Sequence, residues 1–238
     1  MDTILKVSKV CSGYGELPVL QDIDLHVGRG EIVSVVGANG AGKTTLLLTL
    51  TGHLPVKSGQ VMFDGQDVSR EPAHAAAGRG LVMVPEGGRL FPFMSVLENL
   101  ELGAYHGKAR AQMKHNLDEV MEFFPILAER RKQLAGRLSG GERQMCAVAR
   151  AMMGMPKLMM LDEPSLGLAP IMVDRVFELI KKLVATKGLT VLLVEQNVRN
   201  ALQMCQRGYV IEHGHLLKTG SGSQLLADPD VQRSYMGL

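Results

Sequence analysis

Four stretches of the chain are almost continuously apolar, which is typical of strands that are covered on both faces of a sheet. They are EIVSVVG at 31–37, GLVMVP at 80–85, KLMMLDEP at 157–164 and TVLLVE at 190–195. Patterns with helical periodicity lie between several of these stretches. Strands that alternate with helices predict an α/β fold with a mainly parallel sheet.

Two other segments have the pattern of antiparallel strands. DIDLHV at 22–27 alternates polar and apolar residues with a period of two, which indicates a strand with one buried face. GYVIEHGHLL at 208–217 predicts a hairpin that turns at His213 and Gly214. His213 and His215 are close enough in sequence to suggest a metal, but an exposed turn is the better interpretation.

The stretch from 95 to 153 interrupts the alternation of strands and helices. It contains helical periodicity and no comparable apolar run, as in SVLENLELG at 95–103, KHNLDEVMEFF at 114–124 and GERQMCAVARAMM at 141–153. We therefore predict a helical subdomain at 95–153, inserted into an α/β core that is formed by 1–94 and 154–238 of a single domain.

Length and cysteine content limit the class of protein. A chain of 238 residues buries a sizeable core without help from disulfides or oligomerisation. Cys11, Cys146 and Cys205 are far apart and form no CxxC pair, so we expect neither a disulfide framework nor a zinc site, and a reducing cytoplasm fits best. No apolar run approaches the ~20 residues of a membrane-spanning helix, which predicts a soluble chain.

The charge balance argues against nucleic acid as a partner. The chain has 26 Lys and Arg against 24 Asp and Glu, a net charge of +2, and so lacks the strong positive field that recruits nucleic acid. The one local basic run, AERRKQLAGR at 128–137, is interpreted as a solvated surface.

A glycine-rich segment, GANGAGKTT at 37–45, follows the first buried strand and precedes the helical LLLTLTG. Glycines let the backbone curl so that its amides point at an anion, at the positive end of the following helix. Lys43 adds a charge for the β and γ phosphates of a nucleotide, and the Thr44 hydroxyl suits Mg²⁺. The predicted phosphate-binding residues are Gly37, Asn39, Gly40, Ala41, Gly42, Lys43, Thr44 and Thr45.

Two adjacent carboxylates end the buried stretch LMMLDEP at 158–164. Asp162 is placed to hold the coordination shell of Mg²⁺. Glu163 is placed where a water could line up behind the γ phosphate, as its general base. Together with Lys43, these residues predict nucleotide hydrolysis.

The segment LSGGERQ at 138–144 predicts a second anion site. Ser139 and Glu142 have the spacing of a capping box, while Gly140 and Gly141 leave the first turn of the next helix without side chains. A capped, bare helix amino terminus binds anions. One chain thus has two phosphate-binding ends, which would serve two different nucleotides.

These motifs together closely resemble the nucleotide-binding subunits of ATP-binding cassette (ABC) transporters, from about Leu5 to Leu226. The resemblance implies a P-loop NTPase core of the RecA-like type with an antiparallel β-subdomain, and a helical subdomain that carries the LSGGE signature. It also implies ATP and Mg²⁺ as cofactors. Two such domains pair head to tail in this family, with each ATP between the P-loop of one and the signature of the other.

The resemblance assigns a role to one further residue, and at two positions this chain differs from most members of the family. Tyr14 matches the aromatic residue on which the family stacks adenine, although an ordinary half-buried tyrosine is the alternative. Glu86 is at the position where most relatives have a Gln that reaches Mg²⁺. A carboxylate there can bind the metal. It can instead lie in the outer shell of the metal, because it adds negative charge beside Asp162 and Glu163.

The second departure is Gln196, in the place of the switch histidine that contacts the γ phosphate. A glutamine amide still donates a hydrogen bond but cannot become cationic. The difference is worth roughly 1–2 kcal/mol, or about tenfold to thirtyfold in rate, so we expect a slowed site in which Gln196 still takes part in catalysis.

The segments VPEG at 84–87, DEPSLGLAP at 162–170 and VEQN at 194–197 narrow the resemblance to one of the two ATPase subunits of branched-chain amino acid importers. This implies a distinct second ATPase as partner, with a homodimer as the alternative. It also implies two transmembrane permease subunits, a periplasmic substrate-binding protein that acts indirectly, and a peripheral position on the cytoplasmic face of the bacterial inner membrane. The segment 87–99 would lie near the permease.

Other functions stay open. Importers for urea or short amides share much of this pattern. An ABC ATPase that acts on DNA or ribosomes fits less well, because the chain has a single cassette and a short helical insert. For a regulatory subunit without turnover, Gln196 argues in favour and Glu163 against.

Overall fold

The computed structural model describes residues 2–236. In chain order its strands are β1 (Thr3–Tyr14), β2 (Leu17–Gly28), β3 (Ile32–Val36), β4 (Ser58–Phe63), β5 (Gln66–Asp67), β6 (Leu81–Val84), β7 (Leu158–Asp162), β8 (Thr190–Glu195), β9 (Arg207–Glu212) and β10 (His215–Gly220). Its α-helices are α1 (Lys43–Leu50), α2 (Ala73–Arg79), α3 (Val96–Gly103), α4 (Gly107–Ala111), α5 (Met113–Phe123), α6 (Pro125–Glu129), α7 (Gly140–Met153), α8 (Pro170–Lys187), α9 (Val198–Met204), α10 (Gly222–Ala227) and α11 (Pro229–Tyr235).

A six-stranded sheet in the order β10-β9-β3-β8-β7-β6 forms the centre of the fold. All neighbouring strands in it are parallel except β9 and β10. Every residue of β3, β7 and β8 is buried, as expected for strands with both faces covered. The predicted α/β fold with a mainly parallel sheet is confirmed.

A second, four-stranded sheet is antiparallel and has the order β2-β1-β4-β5. The predicted strand at 22–27 lies within β2, where Ile23, Leu25 and Val27 are buried and the residues between them are exposed. This prediction is therefore confirmed. The apolar side chains of this sheet form a core with α1 and with one face of the central sheet.

The three helices predicted between 95 and 153 are confirmed as α3, α5 and α7. The only strand-type pairing among 95–153 is an isolated bridge between Ser95 and Leu134. The long helix α7 packs on α3, α5 and α6, and also on β6 and α8. Because α7 contacts both groups of elements, the subdomain boundary at 153 stays a prediction.

The predicted hairpin is formed by β9 and β10 and turns at His213 and Gly214, both with positive φ. A side chain at Gly214 would collide with the carbonyl of Val19, so only glycine fits. The Gly214 N–H donates to the carbonyl of Ala41 at 3.0 Å, which ties the turn to the glycine-rich loop. His213 and His215 are exposed, and residues 2–236 contain no cluster of three or more potential metal-binding side chains.

Two further expectations concern the surface. None of the helices within residues 2–236 has the length and hydropathy needed to cross a bilayer. The basic run at 128–137 is mostly exposed, but it is more than a solvated face, because Arg130 forms an ion pair with Glu142 at 3.0 Å.

Candidate functional site

The glycine-rich loop connects the buried strand β3 to α1, and its three glycines are needed for different reasons. A side chain at Gly37 would lie 2.2 Å from the carbonyl oxygen of Ile211, so this glycine permits close packing on β9. Gly40 and Gly42 have φ values of 78° and 109°, which side chains disfavour. The space around Gly40 is open. The loop therefore presents a curled, accessible backbone at the amino end of α1, as an anion site requires.

The Lys43 ammonium lies beneath this loop and is almost fully buried. It donates to the carbonyl oxygens of Gly37 at 2.9 Å and Ala38 at 3.0 Å, and it lies 3.0 Å from a carboxylate oxygen of Glu163. A primary ammonium has three donors, so the three acceptors use its whole capacity. A phosphate must displace at least one of them to bind Lys43.

Thr44 and Asp162 bring the start of α1 and the end of β7 together. The Thr44 hydroxyl donates to a carboxylate oxygen of Asp162 at 3.1 Å. Burial raises the pKa of Asp162 to about 6; the Thr44 hydrogen bond opposes the shift, and the negative charges of Glu163 and Glu86 add to it. A buried carboxylate with too little positive charge around it, next to a hydroxyl, fits a hard divalent cation such as Mg²⁺.

A cleft of about 360 Å³ opens over the glycine-rich loop. It is lined by Val19, Asn39, Gly40, Gly42, Lys43, Thr44, Thr45, Glu86, Glu163 and Leu166. Of the predicted phosphate-binding residues, Ala41 is buried and accepts the Gly214 N–H, and Gly37 packs on Ile211. Glu86 is exposed at this cleft, so the structure brings it to the same side as Glu163. Tyr14 is 48% exposed and does not line the cleft, so its contact with adenine stays a prediction.

Glu163 has a left-handed backbone, with φ of 44°, which is uncommon for a residue with a side chain. Its N–H donates to the carbonyl of Val194 in β8 at 2.9 Å. A carboxylate oxygen of Glu195 accepts the N–H of Ser165 at 2.9 Å, so the end of β8 holds the loop after β7 at two points. The sequence interpretation missed Glu195; a charged residue that closes a fully buried strand was the available signal.

Gln196 lies in a second, adjoining cleft of about 470 Å³. Glu163 and Leu166 line both clefts, so Gln196 is beside the predicted general base but does not line the cleft over the glycine-rich loop. Arg199 and Tyr235 also line the second cleft. Sequence reasoning missed both, because neither belongs to a motif.

The LSGGE segment forms the predicted capping box at the start of α7: the Ser139 N–H donates to Glu142 at 2.8 Å, and the Glu142 N–H donates to the Ser139 hydroxyl at 3.4 Å. A side chain at Gly141 would collide with Met172, so this glycine also serves packing, which the sequence did not reveal. None of the residues from Ser139 to Glu142 lines either cleft. The two candidate anion sites of the chain, at the glycine-rich loop and at the start of α7, are therefore separate from each other.

Comparisons with known proteins agree with this geometry. The family model described as ABC transporter matches residues 20–166. The chain is 43% identical over 234 residues to the high-affinity branched-chain amino acid transport ATP-binding protein BraG of Pseudomonas aeruginosa, covering 98% of this chain and 100% of that protein. It is 37% identical to the lipopolysaccharide export system ATP-binding protein LptB of Escherichia coli, covering 98% of this chain and 97% of LptB.

Among solved structures, an ATP-binding cassette of an ABC transporter in its ADP conformation superposes with a TM-score of 0.87 at 27% identity, and all of both chains is covered. The expected cassette fold, with a nucleotide-binding P-loop core, is confirmed. The chain therefore belongs to the ABC transporter family, as an ATP-binding subunit that couples ATP hydrolysis to transport.

Proposed function

We propose that this chain energises an ABC importer for branched-chain amino acids. The observation that carries the proposal is the 43% identity to BraG over essentially the whole of both chains, against 37% for LptB. The residues that we propose for turnover lie close together: Lys43 and Thr44 begin α1, Asp162 ends β7 and contacts Thr44, and Glu163 follows Asp162.

The proposed roles follow from the contacts. The amides around Gly40 and the Lys43 ammonium bind the phosphates, and Lys43 exchanges its contact with Glu163 for a γ-phosphate oxygen. Glu163 is then free to take the proton of the attacking water. Thr44 and Asp162 would hold Mg²⁺, with the exposed Glu86 in its outer shell, and the metal would supply positive charge that neutralises the phosphates.

We infer that the signature of this chain completes an ATP site on a second ATPase. The support is that Ser139, Gly140, Gly141 and Glu142 line neither cleft of their own chain. A different ATPase is the proposed partner, and a homodimer is the alternative. Steady-state hydrolysis across a range of protein concentrations separates the two: a faster-than-linear rise indicates self-pairing, whereas nucleotide binding without turnover indicates a required partner.

The proposed permease-docking surface is the segment 87–99 with the adjacent groove of about 250 Å³. Phe91 is 52% exposed and Phe93 is 90% exposed, which is costly unless a partner covers them. Asn99 is buried and holds the segment, since its side-chain oxygen accepts the Phe91 N–H at 2.9 Å and its amide donates to the Phe91 and Ser95 carbonyls. We assign 95–153 as the subdomain that carries the signature, and the docking surface spans the junction between it and the core segment 1–94.

In this assembly the chain sits peripherally on the cytoplasmic face of the bacterial inner membrane, beneath two permease subunits that receive substrate from a periplasmic binding protein. A deletion strain tests the proposal. Uptake of labelled leucine should fall, and a plasmid with the wild-type gene, but not Glu163→Gln, should restore it. Normal leucine uptake together with impaired urea or amide uptake, or with a defect in lipopolysaccharide export, would assign the chain to another transporter.

A further inference from the structure

Arg199 is an exposed arginine that follows Gln196 closely in the sequence. It is the second residue of α9, which begins after Asn197, whose side chain accepts the Asn200 N–H at 3.2 Å. The Arg199 side chain is exposed and, within residues 2–236, makes no ion pair and no hydrogen bond. It lines the second cleft together with Glu163 and Gln196.

The second cleft is lined by two carboxylates and one cation. Its charged lining residues are Glu163, Glu195 and Arg199. Glu195 is 1% exposed and already accepts the Ser165 N–H, so its oxygens are turned towards the protein. Glu163 is paired with Lys43. Among residues 2–236, Arg199 is thus the only cation that lines the cleft, and it forms no ion pair there.

We propose that Arg199 supplies, at the γ phosphate, the positive charge that Gln196 cannot carry. Glu163 and Leu166 line both clefts, so the cleft that contains Arg199 adjoins the P-loop cleft. An arginine side chain is long, and its planar guanidinium suits phosphate oxygens. This proposal rests on the ATPase activity of the chain and is independent of the transported substrate.

The role of Arg199 is electrostatic. During hydrolysis the water oxygen bonds to the γ phosphorus as the bond to the bridging oxygen breaks, and the water proton passes to Glu163. Arg199 neutralises charge on the γ-phosphate oxygens during this exchange, and Gln196 donates a neutral hydrogen bond. The slowing expected for Gln196 alone is then largely offset, so Gln196→His by itself should change turnover less than threefold.

The first test uses nucleotide affinity, which does not need turnover. In the full chain carrying Glu163→Gln, the dissociation constants of ATP and ADP are measured with Mg²⁺ by calorimetry. Arg199→Gln should lower the preference for ATP over ADP about tenfold and leave ADP affinity unchanged, and Gln196→His should restore the preference. Arg199→Lys should retain part of it.

The matched control is Arg175→Gln, since Arg175 is an exposed arginine of α8 that lines neither cleft and forms no ion pair in residues 2–236. It should change neither affinity. An unchanged ATP preference in Arg199→Gln would overturn the proposal, as would equal losses for ATP and ADP, which would indicate a structural role.

A second test is a double-mutant cycle on ATP hydrolysis with Glu163 intact. Arg199→Gln should lower turnover about tenfold in the wild-type background and less than twofold beside Gln196→His, because histidine then provides the cation. Equal effects in both backgrounds would overturn the proposal and indicate that Arg199 acts elsewhere, for example on the partner ATPase.

Discussion

The Lys43 ammonium lies 3.0 Å from the Glu163 carboxylate, and both side chains are nearly buried. The residue proposed to bind phosphate and the residue proposed to activate water are therefore each other's counterions. A γ phosphate competes with Glu163 for Lys43, so binding of ATP and release of the base are coupled. ADP has no γ phosphate and does not force this exchange.

We expect Glu163→Gln to lower ATP hydrolysis by at least about a hundredfold, because the general base is lost. ATP affinity should be unchanged or several-fold higher, since Lys43 no longer has an anionic competitor within the protein. Calorimetry with ATP and ADP measures both effects. Weaker binding of ATP would show that the Lys43–Glu163 contact supports the P-loop rather than competing with nucleotide.

Asp162→Asn should stabilise the nucleotide-free fold at pH 8. The pKa of Asp162 is raised to about 6 by burial, so ionisation of this group destabilises the folded state. The penalty is absent below about pH 4, grows as the pH rises, and is complete above about pH 6. The substitution should therefore add about 1–3 kcal/mol to the free energy of unfolding at pH 8 and little at pH 4.

Urea denaturation at the two pH values measures this difference. Asp118→Asn is the control, since Asp118 is an exposed carboxylate of α5 without an ion pair in the described part of the chain. Asp162→Asn should also abolish Mg²⁺-dependent ATP binding. A destabilised Asp162→Asn protein at pH 8 would contradict the proposed burial penalty.

Phe91→Asp should uncouple ATP hydrolysis from uptake. A charge at this half-exposed position disfavours burial against a permease helix but does not touch the nucleotide site. We expect leucine uptake to be lost while ATP affinity is retained. Leu217→Asp is the control, because Leu217 in β10 is similarly exposed, at 54%, and lies outside 87–99. Normal uptake by Phe91→Asp would place the docking surface elsewhere.

Arg150 holds the loop that follows Glu86 onto α7. Its guanidinium donates to the carbonyls of Gly88 at 2.7 Å and Arg89 at 3.1 Å, and Gly87, Gly88 and Arg89 all have positive φ. Loss of hydrogen bonds from a charged donor costs about 1–3 kcal/mol. Arg150→Gln should lower the unfolding free energy by this amount and speed amide exchange at 87–91. Unchanged exchange there would mean that the loop is held by other contacts.

The interpretation of the sequence was strongest where the physical signal is local. Buried strands are recognisable from apolar runs, the strand at 22–27 from its period of two, and the start of α7 from the spacing of Ser139 and Glu142. The order of residues in 37–45 was enough to identify a phosphate loop between a strand and a helix. Each of these patterns involves residues within a few positions of one another.

The sequence alone was sufficient to predict the buried strands, the strand at 22–27, the hairpin, three helices of 95–153, the P-loop and the two carboxylates at the end of β7. Three contacts became apparent only from the three-dimensional arrangement: Lys43 pairs with Glu163, Met172 packs against Gly141, and Gln196 and Arg199 share a cleft with Glu163. Lys43 meets Glu163 because the strand order β3-β8-β7 brings together the carboxyl ends of strands that are far apart in the chain, and Gly141 meets Met172 because α7 packs on α8. Such neighbours leave no periodic or spacing signal in a single sequence.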